Sequence, residues 1–233
     1  MERLRRLIGK AWSAIDFGWP EKREILAVEL LAPLGGRYLP LSRWSLRPSA
    51  VVAILNEIVI NRRSCIVECG AGTSTFYIAR LLRERGGGRL YSIEHDAEWA
   101  RWVEDGLAAE GLDAHASVSV APLSPTPLAL ERNLWYDAGS IGWLASDLQI
   151  DLLLVDGPPA VNRETELARY PAIPYFRQAL AEDFAVVLDD IRRTGERKVV
   201  ARWEQELGVT FDRRAAEGIA IGHSRPSQNL GLM

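Results

Sequence analysis

Cysteine is almost missing from this chain: Cys65 and Cys69 are the only two among 233 residues. They stand four apart on one apolar stretch, too far along an extended strand to bridge easily, and two thiols cannot build a zinc centre. A disulfide-stapled fold is therefore excluded, and both are expected as buried thiols. Lysine is nearly as scarce, with only Lys10, Lys22 and Lys198. The net charge of −3 and isoelectric point near 5.7 leave no global attraction toward nucleic acid and favour a small-molecule or glycan substrate. No apolar run is long enough to cross a bilayer and no signal-peptide pattern is present, so the expectation is a cytoplasmic protein without a membrane span. Repeats and low-complexity tracts are missing too.

What is present suits one large α/β domain: 48% hydrophobic and 25% charged residues over a length that can bury a sizeable core. The expected division is a helical and loop extension over 1–48 and the main domain over 49–233. Met1 to Lys10 is basic and amphipathic, and is read as a packed or frayed terminus rather than a membrane-surface helix. Glu21 to Leu31 reads as a helix, followed by a loop broken by Pro33, Gly35, Gly36 and Pro40. Ser49 can cap a helix from Ala50 to about Asn61, with Val51, Leu55, Ile58 and Val59 on its inner face.

The chain is organised around Cys65-Ile66-Val67-Glu68-Cys69-Gly70-Ala71-Gly72-Thr73-Ser74-Thr75. Ile66 and Val67 suit a buried strand, the glycines allow a tight turn and close approach of a ligand, and Thr73, Ser74 or Thr75 can cap the next helix. A ligand is expected over that helix N-terminus. The dinucleotide fingerprint wants a third glycine where Thr75 stands, which counts against NAD. Leu90 to Ile93 forms a second strand ending at Glu94, 22 residues after Gly72. At that separation a βαβ unit places a carboxylate where it can accept both hydroxyls of a ribose. Removing Glu94 is thus expected to weaken ligand binding and leave unliganded stability nearly unchanged. His95 follows, either beside the adenine or simply at the surface, and Asp96 reads as a helix cap.

Further strands are expected over Ala116 to Val120, Ile150 to Val155 and Phe184 to Leu188, with Val209 to Asp212 and Gly218 to Gly222 as a closing antiparallel pair. Ser124 to Ser146 is read as an irregular excursion followed by a short helix. Ala160 to Pro174 is read as a substrate-side loop carrying Arg163, Arg169 and Tyr170, and Tyr175 to Ala181 as a helix. Asp156 and the pair Asp189-Asp190 end two strands at the carboxyl edge, where open α/β sheets bind ligands.

The Glu-x-Gly-x-Gly turn followed by Thr-Ser-Thr resembles the first motif of class I S-adenosylmethionine-dependent methyltransferases, and the order of elements resembles that fold over about residues 45 to 223. The resemblance implies a Rossmann-like doubly wound, mostly parallel seven-stranded sheet with a closing antiparallel strand. It also implies a cofactor site at Glu68, Gly70, Ala71, Gly72, Thr73, Ser74, Glu94, His95 and Asp156, with Trp44 and Ser45 either lining it or packing in the core. The Asp-Gly-Pro-Pro and Leu-Asp-Asp endings resemble a bacterial subset of small O-methyltransferases, related to catechol-type and sugar O-methyltransferases. By that likeness Asp156, Asp189 and Asp190 would be catalytic and would hold Mg²⁺ or another divalent cation. Two departures stand out. Pro158 and Pro159 occupy the positions where metal-using relatives carry a basic or acidic residue as general base, which leaves three readings: a metal-bound carboxylate takes the proton, His95 or His223 does, or the metal is absent and the aspartates serve as caps and hydrogen-bond acceptors. The acidic residue that often receives the adenine amino group is missing from Ala121-Pro122-Leu123. The implied reaction is methylation of a sugar or phenolic hydroxyl. The alternatives are a Rossmann-type NAD-dependent oxidoreductase and a non-catalytic cofactor-binding partner protein. Monomer and homo-oligomer are both left open.

Overall fold

A computed structural model describes residues 22–42 and 44–227; the basic segment at 1–10 lies outside the described residues. Helix α1 (Lys22–Leu31) runs into a short 3-10 turn and an extended segment that leads to α2 (Pro48–Ile60). Then come β1 (Cys65–Cys69), α3 (Thr73–Arg85), β2 (Arg89–Glu94), α4 (Ala97–Ala109) and β3 (Ala116–Val120). A small ribbon of β4 (Leu123–Pro125) and β5 (Leu134–Tyr136) precedes α5 (Ala138–Asp147) and β6 (Ile150–Val155). The chain closes with α6 (Ala172–Phe176), β7 (Leu180–Leu188), α7 (Thr194–Leu207), β8 (Phe211–Arg214) and β9 (Ile219–His223).

The main sheet has seven strands in the order β3-β2-β1-β6-β7-β9-β8. It is parallel from β3 to β7, and β9 enters antiparallel to both β7 and β8. This is the doubly wound Rossmann-like sheet with a closing antiparallel strand. The order reverses at β1, whose neighbours β2 and β6 carry crossovers to opposite faces, so a crevice opens above the carboxyl ends of these three strands.

Because successive side chains alternate, the central strands feed two cores. Ile66, Leu90, Leu152, Leu154 and Val187 pack under α2, α3 and α4, while Val67, Ile93, Leu153, Val155 and Val186 pack against α5, α6 and α7. Cys69 is fully buried, Cys65 is half-buried, and neither is bridged. Among the described residues no helix is long and apolar enough to cross a membrane.

Several local expectations shift. Ser49 does not cap α2, which starts one residue earlier at Pro48; a proline fits the first helical position, where its missing N–H has no partner to lose. The Ser49 N–H and hydroxyl turn instead to Glu24 of α1, at 3.0 and 2.7 Å, fastening the described part of the N-terminal extension to the domain. Val59 faces outward, 50% exposed, rather than joining the inner face of α2. The stretch read as irregular contains the β4-β5 ribbon, whose three-residue strands are too short to show alternation. Pro174 sits inside the first turn of α6 instead of ending a loop before it, and the residues expected as the end of a helix open strand β7 at Leu180.

Candidate functional site

Strand β1 ends in the glycine turn. Gly70 has φ of +94°, a left-handed value that suits a residue without Cβ, and a Cβ there would lie 3.1 Å from the backbone of Gly157. At Gly72 a Cβ would meet nothing within 4 Å, so the turn presents open backbone at the start of α3. The Gly72 N–H is taken by Thr75 Oγ1 at 2.9 Å, which gives the helix its cap.

Glu68 does not face this opening. Its carboxylate is fully buried behind the turn and accepts the hydroxyls of Ser74, Thr75 and Ser92 at 2.5, 2.6 and 2.6 Å. Burial pushes its acidity toward weaker values, and the three hydroxyls work against that shift. The expected direct contact with a ligand therefore gives way to holding strand, turn and helix together. Ser74 shares in this role through its hydroxyl, while still lining the cavity described below.

Glu94 sits at the end of β2, beside the turn. One carboxylate oxygen accepts the Ala71 N–H at 3.2 Å; the other accepts the N–H groups of His95 and Asp96 at 2.8 and 2.9 Å. The same oxygen lies 2.7 Å from His95 Nδ1, and this bond, before any other cause, raises the His95 pKa. Asp96 caps α4 through the N–H groups of Glu98 and Trp99. The indole N–H of Trp99 returns to Ala71 O at 2.8 Å, and its ring stacks on Trp102 at 4.7 Å. Trp99 thus pins α4 to the glycine turn, a role its place in a helical repeat did not reveal.

Asp156, Asp189 and Asp190 meet at the carboxyl edge, each offering an oxygen within 4.8 Å of the others. Such spacing would suit a cation, but the guanidinium of Arg169 lies among them. Its Nη2 is 3.3 Å from Asp156 and 3.1 Å from Asp190, its Nη1 donates to Asp189 O and its Nε to Pro158 O, both at 3.3 Å. Arg193 adds a second contact to Asp190 at 2.7 Å. Arg169, expected on a substrate-side loop, is only 4% exposed and is one of the residues lining the cavity described below. With an arginine in its midst, the cluster does not fit a divalent-cation site. Burial first, then the neighbouring carboxylates, pushes Asp156 well up and Asp189 up to about 6. Glu196, close to Arg169 and Arg193, is pushed by burial up to about 7.

A cavity of about 1240 Å³ joins these parts. Gly70 to Ser74, Glu94, His95 and Asp156 line its inner end, and Ile25, Val28 and Leu41 form an apolar outer wall. Trp44 and Ser45 also line it, and Trp44 is 56% exposed, so it is not a core aromatic. At the floor lies Tyr136, from the unforeseen ribbon. Its hydroxyl is buried without a hydrogen-bond partner among the described residues, and burial raises its pKa well above the usual phenol value, so it remains a proton donor. Other candidates stand apart. Arg163 is exposed and does not line the cavity, Tyr170 hydrogen-bonds Glu206, and His223 pairs with Glu57 at 2.9 Å at the opposite end of the sheet.

Comparison with known proteins agrees with this geometry. A family model described as "Methyltransferase domain" matches residues 67–191. No curated protein sequence matches the chain. Among solved structures, SAH-bound methyltransferase PaMTH1 from Podospora anserina superposes with a TM-score of 0.56 at 11% identity, covering 88% of this chain and 89% of that one. An O-methyltransferase from Bacillus cereus in complex with SAH gives 0.54 at 15% identity, covering 87% and 91%. The O-methyltransferase TomG from Streptomyces achromogenes, in complex with SAM, gives 0.52 at 16% identity, covering 87% and 89%. At such identities the likeness establishes a shared fold, while the family match covers more than half of the chain. The chain belongs to this methyltransferase-domain family and has the class I S-adenosylmethionine-dependent methyltransferase fold.

Proposed function

We propose that this protein is a cytoplasmic S-adenosylmethionine-dependent O-methyltransferase acting on a hydroxyl of a small molecule, with sugars and phenols as the leading classes. The observation that carries the reading is that one cavity is lined by the open backbone of Gly70 to Gly72, the strand-end carboxylate Glu94 and the strand-end carboxylate Asp156. Glu94 would receive the ribose hydroxyls, the glycine turn and Thr73 would hold the amino-acid end, and His95 and Trp99 would flank the base. The acid-rich inner end suits a cationic sulfonium, since negative groups nearby favour positive charge.

When bound, S-adenosylmethionine supplies a methyl group that an oxygen nucleophile can displace from sulfur. The chain's own work is to align the acceptor hydroxyl in line and to take up its proton as the new bond to oxygen forms. Asp156 is the residue for the proton: it lines the cavity, and burial makes it a stronger base than an exposed carboxylate. Ile25, Val28, Leu41 and Trp44 would cover the acceptor's apolar face and keep water from the reacting atoms.

Mass spectrometry of the purified protein for retained S-adenosylhomocysteine, followed by calorimetry with that nucleoside and with NAD(H), tests the proposal. Tight binding of the sulfur nucleoside is expected. Binding of NAD(H) alone would overturn the reading in favour of a dehydrogenase.

A further inference from the structure

The likeness to metal-using O-methyltransferases places a cation between Asp156, Asp189 and Asp190, and the geometry there differs. Arg169 engages both carboxylates and carbonyls at that point: Asp156 at 3.3 Å, Asp190 at 3.1 Å, Asp189 O at 3.3 Å and Pro158 O at 3.3 Å. All three of its guanidinium nitrogens are committed. A hard dication needs oxygen ligands at about 2.0–2.6 Å, so it would have to push this group aside. A guanidinium stays charged at any ordinary pH, and displacing it would leave it buried beside a second cation. The neighbourhood is also built around the arginine. Leu167 and Ala168, directly before it, are each 3% exposed and anchor its backbone. The residue after Gly157, where metal-using relatives carry a base, is here Pro158, whose carbonyl accepts Arg169 Nε.

We infer that Arg169 is the resident cation of this cluster, taking the place of a metal, and that it positions Asp156 for a metal-independent methyl transfer. The second half rests on the proposed function; the first half does not, and can be tested by binding alone.

Chelator-stripped wild-type protein is titrated with Mn²⁺, and free Mn²⁺ is followed by electron paramagnetic resonance. The wild type is expected to show no Mn²⁺ site that depends on Asp190. R169Q, which vacates the centre and keeps a polar side chain, is expected to gain one, binding roughly tenfold or more tighter than wild type. The double variant R169Q/D190N should lose it. A stoichiometric wild-type site abolished by D190N would overturn the inference, as would a folded R169Q that binds no Mn²⁺. Should R169Q fail to fold, the wild-type and D190N titrations decide by themselves. Methyl transfer unaffected by chelator is the expected result for the second half, and loss of turnover restored by Mg²⁺ would refute it. If no acceptor is ever methylated, the binding titrations still stand, which separates failure of this inference from failure of the functional proposal.

Discussion

Replacing Glu94 probes the glycine turn and the ligand site together. Its carboxylate accepts three backbone N–H groups, from Ala71 at 3.2 Å, His95 at 2.8 Å and Asp96 at 2.9 Å. Glu94→Ala leaves all three without this acceptor. The Ala71 bond is buried, and an unmade buried donor costs about 1–3 kcal/mol. The other two are half-buried and water can reach them, so the whole loss comes to about 2–4 kcal/mol. For a chain of this length each kcal/mol moves Tm by about 2–4 °C, which gives a fall of roughly 5–15 °C without ligand. The sequence alone predicts almost no loss of unliganded stability, because it shows a strand end and not the bonds that end makes. Glu94→Gln separates the two roles. It keeps one acceptor oxygen and removes the charge, so Tm should fall less, while the dissociation constant for S-adenosylhomocysteine should rise by about ten- to a hundredfold, matching about 1.5–3 kcal/mol for charge-assisted bonds to a ribose. Differential scanning fluorimetry gives the first number and calorimetry the second. A wild-type Tm in Glu94→Ala would refute the turn-holding role, and a folded Glu94→Gln with unchanged affinity would take Glu94 out of the binding site.

Three further outcomes are expected. Tyr136→Phe keeps the ring and deletes only the partnerless hydroxyl, so Tm should hold or rise while affinity for S-adenosylhomocysteine, or kcat for methyl transfer, falls about tenfold; both parameters at wild-type values would show that the hydroxyl meets no ligand. Glu68→Ala strands three buried hydroxyls behind the turn and should cost at least about 3 kcal/mol, read as a drop in Tm with or without ligand; full stability would contradict its bracing role. His95 has its pKa raised by the bond to Glu94, so the stability this bond contributes is complete below the unfolded value of about 6.5 and is lost as pH climbs through the higher folded value. The Tm gap between wild type and His95→Gln should accordingly narrow as pH rises above about 6.5, and a constant gap would count against a charged His95.

Much of this fold is legible in the chain itself, for local reasons. Ile150 to Val155 is apolar at every position but Asp151 and is bounded by polar residues, and the structure has a strand over those same residues because a central parallel strand is buried on both faces. Gly86 ends α3 in the left-handed conformation that its position after the helical repeat suggests. What the chain conceals is pairing across distance. Nothing local to Leu123 or Leu134 announces a ribbon, and so nothing marks Tyr136 as the floor of a cavity. Arg169 stands in a polar, proline-punctuated stretch like any surface arginine. Only the fold shows that this stretch passes over the ends of β6 and β7, where carboxylates need a counter-charge.

The contrast between Glu68 and Glu94 shows how a single register decides chemistry. Both are carboxylates at the ends of neighbouring parallel strands, and composition or motif spacing alone would place both at a ligand. The register pairs Glu68 with Ser92, so Glu68 lies one pleat repeat below Glu94 on the same face of the sheet. That repeat is about 7 Å along the strand. Below the turn, Glu68 meets the hydroxyls of Ser74 and Thr75 in the first turn of α3, and those contacts exclude both water and ligand. Glu94 stands level with the turn itself, where β1 has already ended at Cys69 although β3 still pairs on the other side, and there it lines the cavity. Moving the acid of β2 back to position 92 would bury two carboxylates against each other, and moving the acid of β1 forward would put a side chain at Gly70, where a Cβ already crowds Gly157. The motif's acid before the glycines and the acid that ends the second strand are thus not interchangeable: the first builds the turn, and the second lines the cavity beside the open backbone of Gly72.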